Sequence, residues 1–190
     1  MNEEIPVFKL GSQLGEVSAL LRCGNESLRS YYRFDRAFWA LKEQGPIDEA
    51  LVLIGHRRDR EPFEGWIVKG VRARLSVTRE TEDAETLARN GDWVYVLGSQ
   101  AGGPDGVLKL ERTVVARFAE SSVRAPLATA RIELQAANRP FMIHRAVNDA
   151  LKRSGLDLIP LATHAAASFV LPTLEEGYTA RAAWAPRLQA

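Results

Sequence analysis

The chain has 190 residues, 46% of them apolar and 26% charged, a balance that fits a folded globular protein and excludes a disordered or fibrous one. Its 25 basic and 24 acidic side chains leave a formal net charge of +1, so no overall field draws it to nucleic acid or to an anionic membrane surface. The longest apolar stretch, Ala165 to Leu171 including Ser168, is far short of the roughly 20 residues that a membrane-spanning helix requires.

The start Met1-Asn2-Glu3-Glu4 lacks the basic and apolar succession of a secretory leader, and the single Cys23 has no second cysteine to pair with. These features predict a cytoplasmic protein, and the length predicts one β-rich domain over residues 1–190.

In chain order, the first apolar run is Val7-Phe8-Lys9-Leu10-Gly11-Ser12-Gln13-Leu14-Gly15. It is matched by Val94-Tyr95-Val96-Leu97-Gly98-Ser99-Gln100-Ala101-Gly102, with Leu51-Val52-Leu53-Ile54-Gly55 between them. Gly11, Gly55 and Gly98 stand 44 and 43 residues apart, within the span of about 40 to 45 residues of a four-stranded propeller blade. A glycine closing such a run allows a tight turn or a close backbone approach.

From Ser27 to Gln44, the spacing of Tyr31, Phe34, Phe38 and Leu41 predicts a helix stopped by Gly45-Pro46. Strands are expected at 50–55, 65–71 and 72–78. Asp92 to Ser99 reads as another, Gly102 to Gly106 as a turn and Val107 to Phe118 as the returning strand, with a further strand near 128–134. A second helix is expected over 140–154, with Ile143, Val147, Ala150 and Leu151 on one face and Gly155 just past its end. Leu156 to Leu171 reads as buried strand, and 180–190 as a tail that frays or awaits a partner. The fold class expected is mainly β, antiparallel, propeller-like or a partial propeller with one or two packed helices; α+β is the alternative.

Between 83 and 120 the chain carries Asp83-Ala84-Glu85-Thr86-Leu87-Ala88, then Trp93-Val94-Tyr95-Val96-Leu97-Gly98-Ser99, then Leu110-Glu111-Arg112 and Ala116-Arg117-Phe118. In these motifs it resembles a bacterial propeller-like family of unknown function that is similar to the esterase-like phytases. Thr86, Gln100 and Leu110 depart from the Gly, His and Pro of that pattern. The resemblance implies a propeller and, as one activity, metal-dependent phosphoester chemistry. In that chemistry Asp83 and Glu85 would hold the metal, and Arg57, Arg58 or Arg112 would bind phosphate.

Read from the residues themselves, Asp83 and Glu85 alternate on a strand and so share a face. The run His56-Arg57-Arg58-Asp59-Arg60 gathers an imidazole and three guanidinium groups after a strand, a set suited to phosphate or carboxylate. Ser99, Glu111 and Arg112 complete the candidate ligand-binding set of His56, Arg57, Asp59, Asp83 and Glu85. His56, His144 and His164 show no metal-ligand spacing, and no Gly-x-Ser-x-Gly elbow or phosphate loop occurs, so no resident metal and no cofactor are expected. A non-catalytic module that binds a protein partner, or a second copy, through exposed sheet edges is the leading expectation. A phosphoesterase-like enzyme and a subunit of a split propeller are the alternatives.

Overall fold

Burial on both faces explains the longest apolar runs. In the computed structural model, which describes residues 14–42, 45–61, 64–76, 81–99, 109–139 and 142–158, β3 (Leu51–Arg57) is enclosed along nearly its whole length. Leu51 and Leu53 enter the main core, while Val52 and Ile54 face a second, smaller cluster with Leu14 and Ala40. A strand covered on both sides loses its polar alternation and reads as continuous hydrophobic sequence.

Around β3 lies an antiparallel sheet in the order β1–β2–β3–β4, with β1 at Val17–Arg22, β2 at Phe34–Lys42 and β4 at Trp66–Gly70. Val71 alone separates β4 from β5 (Arg72–Leu75), where the chain passes into a second sheet. That sheet has the order β5–β9–β8–β7–β6, with β6 at Ala84–Asn90, β7 at Trp93–Gly98, β8 at Val114–Ala119 and β9 at Arg131–Asn138. β5 runs parallel to β9 and the other pairs are antiparallel. One core cluster joins the sheets, with Trp39 and Leu41 from the first against Val94, Val96 and Phe118 from the second. The rings of Trp39 and Phe118 meet edge to face at 5.3 Å. The fold is therefore mainly β, and no helix among the described residues is long and apolar enough to cross a membrane.

The helix expected over 27–44 is corrected. α1 covers Glu26–Tyr32 and ends at Arg33, whose left-handed backbone (φ 57°) lets its N–H reach the carbonyls of Arg29 and Ser30. Asn25 caps the other end, its side chain accepting from the Leu28 amide. Phe34 to Lys42 is strand because Ala37, Trp39 and Leu41 alternate into the core. The positions Phe34, Phe38 and Leu41 fit a helical stripe only by coincidence of spacing, and pairing on both edges of β2 decides the outcome. Gly45-Pro46 opens the short α2 (Ile47–Ala50) instead of stopping a helix.

The second expected helix is present as α3 (Met142–Arg153). Gly155 (φ 66°) follows it, and the Leu156 amide donates back to the Leu151 carbonyl. It is not packed as expected, since Val147 is 41% exposed. Leu156 and Leu158, the described part of the run expected as buried strand, are 60% and 54% exposed.

The strands expected at 50–55, 65–71, 72–78 and 92–99 correspond to β3, β4, β5 and β7. The return strand starts later than expected, since Leu110–Arg112 is a 3-10 turn before β8. The strand near 128–134 is β9, and the turn at 102–106 lies outside the described residues.

Equal glycine spacing does not bring equal surroundings. Gly55 sits within β3 under the Phe34 ring, and Gly98 ends β7 against the Arg112 carbonyl. At each, an added Cβ would lie within 2.3 Å of its neighbour. Both are close approaches, but to different elements in different sheets; Gly11 lies outside the described residues.

A buried carboxylate ties the sheets together. Glu120, 4% exposed, follows β8 in a 3-10 turn (Glu120–Ser122). Its Oε1 accepts from Trp39 Nε1 (2.6 Å), the Gly24 amide (2.8 Å) and Arg89 Nη2 (3.0 Å). Arg89 also donates to the Arg22 carbonyl, linking β6 to the end of β1. Removing the Glu120 carboxylate leaves buried donors without an acceptor. Glu120→Ala should lower the unfolding free energy by about 3 kcal/mol, and Glu120→Gln by roughly half as much. Denaturant unfolding measures both, and a loss below about 1 kcal/mol for Glu120→Ala would show that the carboxylate does not hold the sheets.

Candidate functional site

Two polar clusters contain the residues expected to carry function, and they are built on different sheets. In the second sheet, Asp83 precedes β6 with a left-handed backbone (φ 63°), and its carbonyl accepts from the Ser99 amide at the end of β7 (2.9 Å). The Ser99 hydroxyl donates to Asp83 Oδ2 at 2.6 Å, and Arg112 Nη1 stands 3.0 Å from the same oxygen. Glu82, which the sequence reading did not select, receives Arg112 Nε at 2.9 Å and Lys109 Nζ at 3.3 Å. The Arg112 hydrogen bond, reinforced by Lys109, holds the Glu82 carboxyl below the usual range despite partial burial. Glu111 contributes its backbone carbonyl, which accepts from the Glu82 amide.

Asp83, Ser99, Glu111 and Arg112 are thus brought together. The expected alternation of Asp83 with Glu85 is corrected, because Asp83 lies outside the strand and the β6–β7 register shifts between Ala84 and Thr86. Glu85 occupies that bulge, where the period-two rule does not apply. Chemically the cluster is a latch. Asp83 and Glu82 face internal cations, and no group of three or more metal-ligating side chains occurs among the described residues. Ser99 and Arg112 share the same Asp83 oxygen.

In the first sheet, His56 of β3 is buried. Its Nδ1 lies 2.8 Å from Asp35 Oδ1 and its Nε2 2.8 Å from the Glu61 carbonyl. Two acceptors favour the doubly protonated ring, so the Glu61 carbonyl and the Asp35 carboxylate raise the His56 pKa against the effect of burial. Burial acts to raise Asp35, but the His56 and Arg36 donors outweigh it and hold its carboxyl low. Arg57 and Asp59 form a bidentate pair, Nε to Oδ1 at 2.9 Å and Nη2 to Oδ2 at 2.7 Å, which lowers the Asp59 pKa. His56 is therefore occupied by Asp35 and the Glu61 carbonyl, Arg57 and Asp59 by each other, and none of them joins Asp83, Ser99 and Arg112.

Cys23 is also inert. Burial pushes its thiol up to about 12, which removes the thiolate a nucleophile needs.

The His56–Asp35 contact gives stability a definite pH dependence. With its folded pKa above the ordinary 6.5, His56 contributes fully below pH 6.5 and loses its contribution as pH rises through the folded value. Asp35, held below 3.8, contributes above that pH and loses its share on acidification. Urea unfolding followed from about pH 5 to about pH 9 should show the parent losing stability over the alkaline half and His56→Gln not doing so. Parallel curves for the two proteins would show that the buried ring is neutral.

Compared with protein-family models, curated proteins and solved structures, the chain matches none of them.

Proposed function

We propose that the chain is a non-catalytic, β-rich binding module of the cytoplasm that docks another protein on the apolar stripe of α3. The observation that carries this reading is an amphipathic helix whose apolar stripe the described residues cover only in part: Val147 is 41% exposed, whereas Ile143 and Leu151 are half-buried. Ile143, Val147, Ala150 and Leu151 fall on one side of α3, and the exposed Leu156 and Leu158 extend that apolar surface beyond its end. A helix of 12 residues is marginal on its own in water and gains its stability from burying such a stripe. Arg145, Lys152 and Arg153 stand on this helix against a single Asp149. An apolar groove rimmed by carboxylates is the partner surface whose chemistry fits, in preference to a second copy carrying the same cations.

The cytoplasmic placement rests on Cys23, one buried thiol with no second cysteine in the sequence. The phytase-like alternative finds less support, because Asp83 and Arg112 neutralise each other. Of the two sheets, β1–β2–β3–β4 has the four-stranded antiparallel form of a propeller blade, and the sheet containing the parallel β5–β9 pair does not. The two-sheet module is therefore preferred to a split propeller.

Two measurements test the proposal. The full chain, screened on aryl and sugar phosphates with calcium or magnesium, should show no turnover; turnover abolished by Asp83→Ala would reject the non-catalytic reading. The pair Val147→Asp and Leu156→Asp should change unfolding free energy by no more than about 0.5 kcal/mol, as expected for exposed positions. A partner identified by crosslinking from position 147 should lose binding to this double variant and bind less tightly at high salt. A large stability loss would mean that the chain covers its own stripe. A dimer that dissociates in the variant would make the occupant a second copy, and either result overturns the proposal.

A further inference from the structure

We propose that the cleft between α1, the end of β1 and the start of β2 binds a small phosphate monoester. The cleft measures about 310 Å³ and receives Arg22 from β1, Arg29 from α1 and Arg36 from β2, with the buried Cys23 and Ala37 also lining it. That volume lies at the lower end of the range for small-ligand sites and exceeds what a phosphoryl group alone fills.

Its arginines are only partly balanced from within. The buried Nε of Arg29 has no hydrogen-bond partner, and the Arg29 ion pair with the exposed Glu26 spans 3.7 Å. Arg22 and Arg36 have no ion pair among the described residues, whereas Arg57, Arg89 and Arg112 each sit on a carboxylate. The one carboxylate lining the cleft, Asp35, already accepts from His56 and from the Arg36 amide. The Cys23 thiol is neutral and adds no charge.

Three arginines line the cleft against Asp35, which is already engaged, and Glu26, which reaches Arg29 only at 3.7 Å, a set that suits a ligand with more than one negative charge and several acceptor oxygens. A phosphate monoester carries about −1.5 to −2 at neutral pH and three such oxygens, which guanidinium forks engage in pairs. A monocarboxylate would leave part of the excess uncompensated. Phe38, also on the cleft, offers the ester's organic group an apolar contact. The larger groove beside β5 differs in that both of its carboxylates, Asp48 and Glu49, line it together with Arg72, Arg74 and Arg131.

The test uses the full chain titrated with inorganic phosphate and with phenyl phosphate, at ionic strength held constant with chloride, by calorimetry and thermal unfolding. Both should bind saturably and raise the unfolding temperature, phenyl phosphate at lower concentration. Arg29→Gln and Arg36→Gln should each weaken binding by about tenfold or more, and Arg72→Gln in the other groove should not. Absence of saturable heat beyond the chloride control, or unchanged affinity in Arg36→Gln, would overturn the assignment. Should Arg29→Gln fail to fold, Arg36→Gln still decides, because Arg36 is exposed, and phosphorus NMR of phenyl phosphate gives the second readout.

Discussion

The Glu120 carboxylate is the constraint on which the two-sheet arrangement rests. A carboxylate held away from water must find donors inside the protein, and here they come from the β1–α1 loop, from the Trp39 indole of β2 and from Arg89 of β6. The same residue's backbone carbonyl accepts from Asn25, so the residue that caps α1 is fixed by the hub as well. Gly24 fits because a side chain there would collide with Arg89 and Glu120. Facing Trp39 and Phe118 then supply apolar area on the core side of the same ring, so the polar and hydrophobic contacts between the sheets share one residue.

Outside this hub, the charged residues divide by whether the fold itself neutralises them. Glu82 and Asp83 with Arg112, Asp59 with Arg57, and Asp35 with His56 close latches between strands and turns. Such pairs resemble a catalytic constellation in composition, yet each acid already holds a donor within the fold. What remains for recognition is the opposite kind of surface: arginines only partly paired around the α1 cleft, and an apolar stripe on α3 that the described residues cover only in part. One would read a compact oxyanion and the other a protein groove.

The sequence made some of this legible and obscured the rest for identifiable reasons. β3 and β7 were readable because their apolar runs end at glycines whose lack of a Cβ admits a ring or a carbonyl. β2 was not, because Phe34, Phe38 and Leu41 satisfy a helical stripe while Ala37, Trp39 and Leu41 satisfy a strand. The neighbourhood of Ser99 and Arg112 could be anticipated from their shared segment, but Glu82 carries no local signal that distinguishes it from Glu80 or Glu85. Glu120 is hidden more deeply, since its Trp39 partner is 81 residues away and its local context, Glu-Ser-Ser after a strand, looks like a solvated turn.

Composition and apolar patterning by themselves determined that the chain folds as mainly β, where most of its strands lie, and that a helix follows the last described strand, because these properties are set by neighbours within a few residues. The tertiary structure alone decided the fate of β2, the pairing of each acid with its base and the surfaces left unmatched. Those outcomes depend on which distant side chains share a desolvated space, where a missing partner costs more than any local propensity can return.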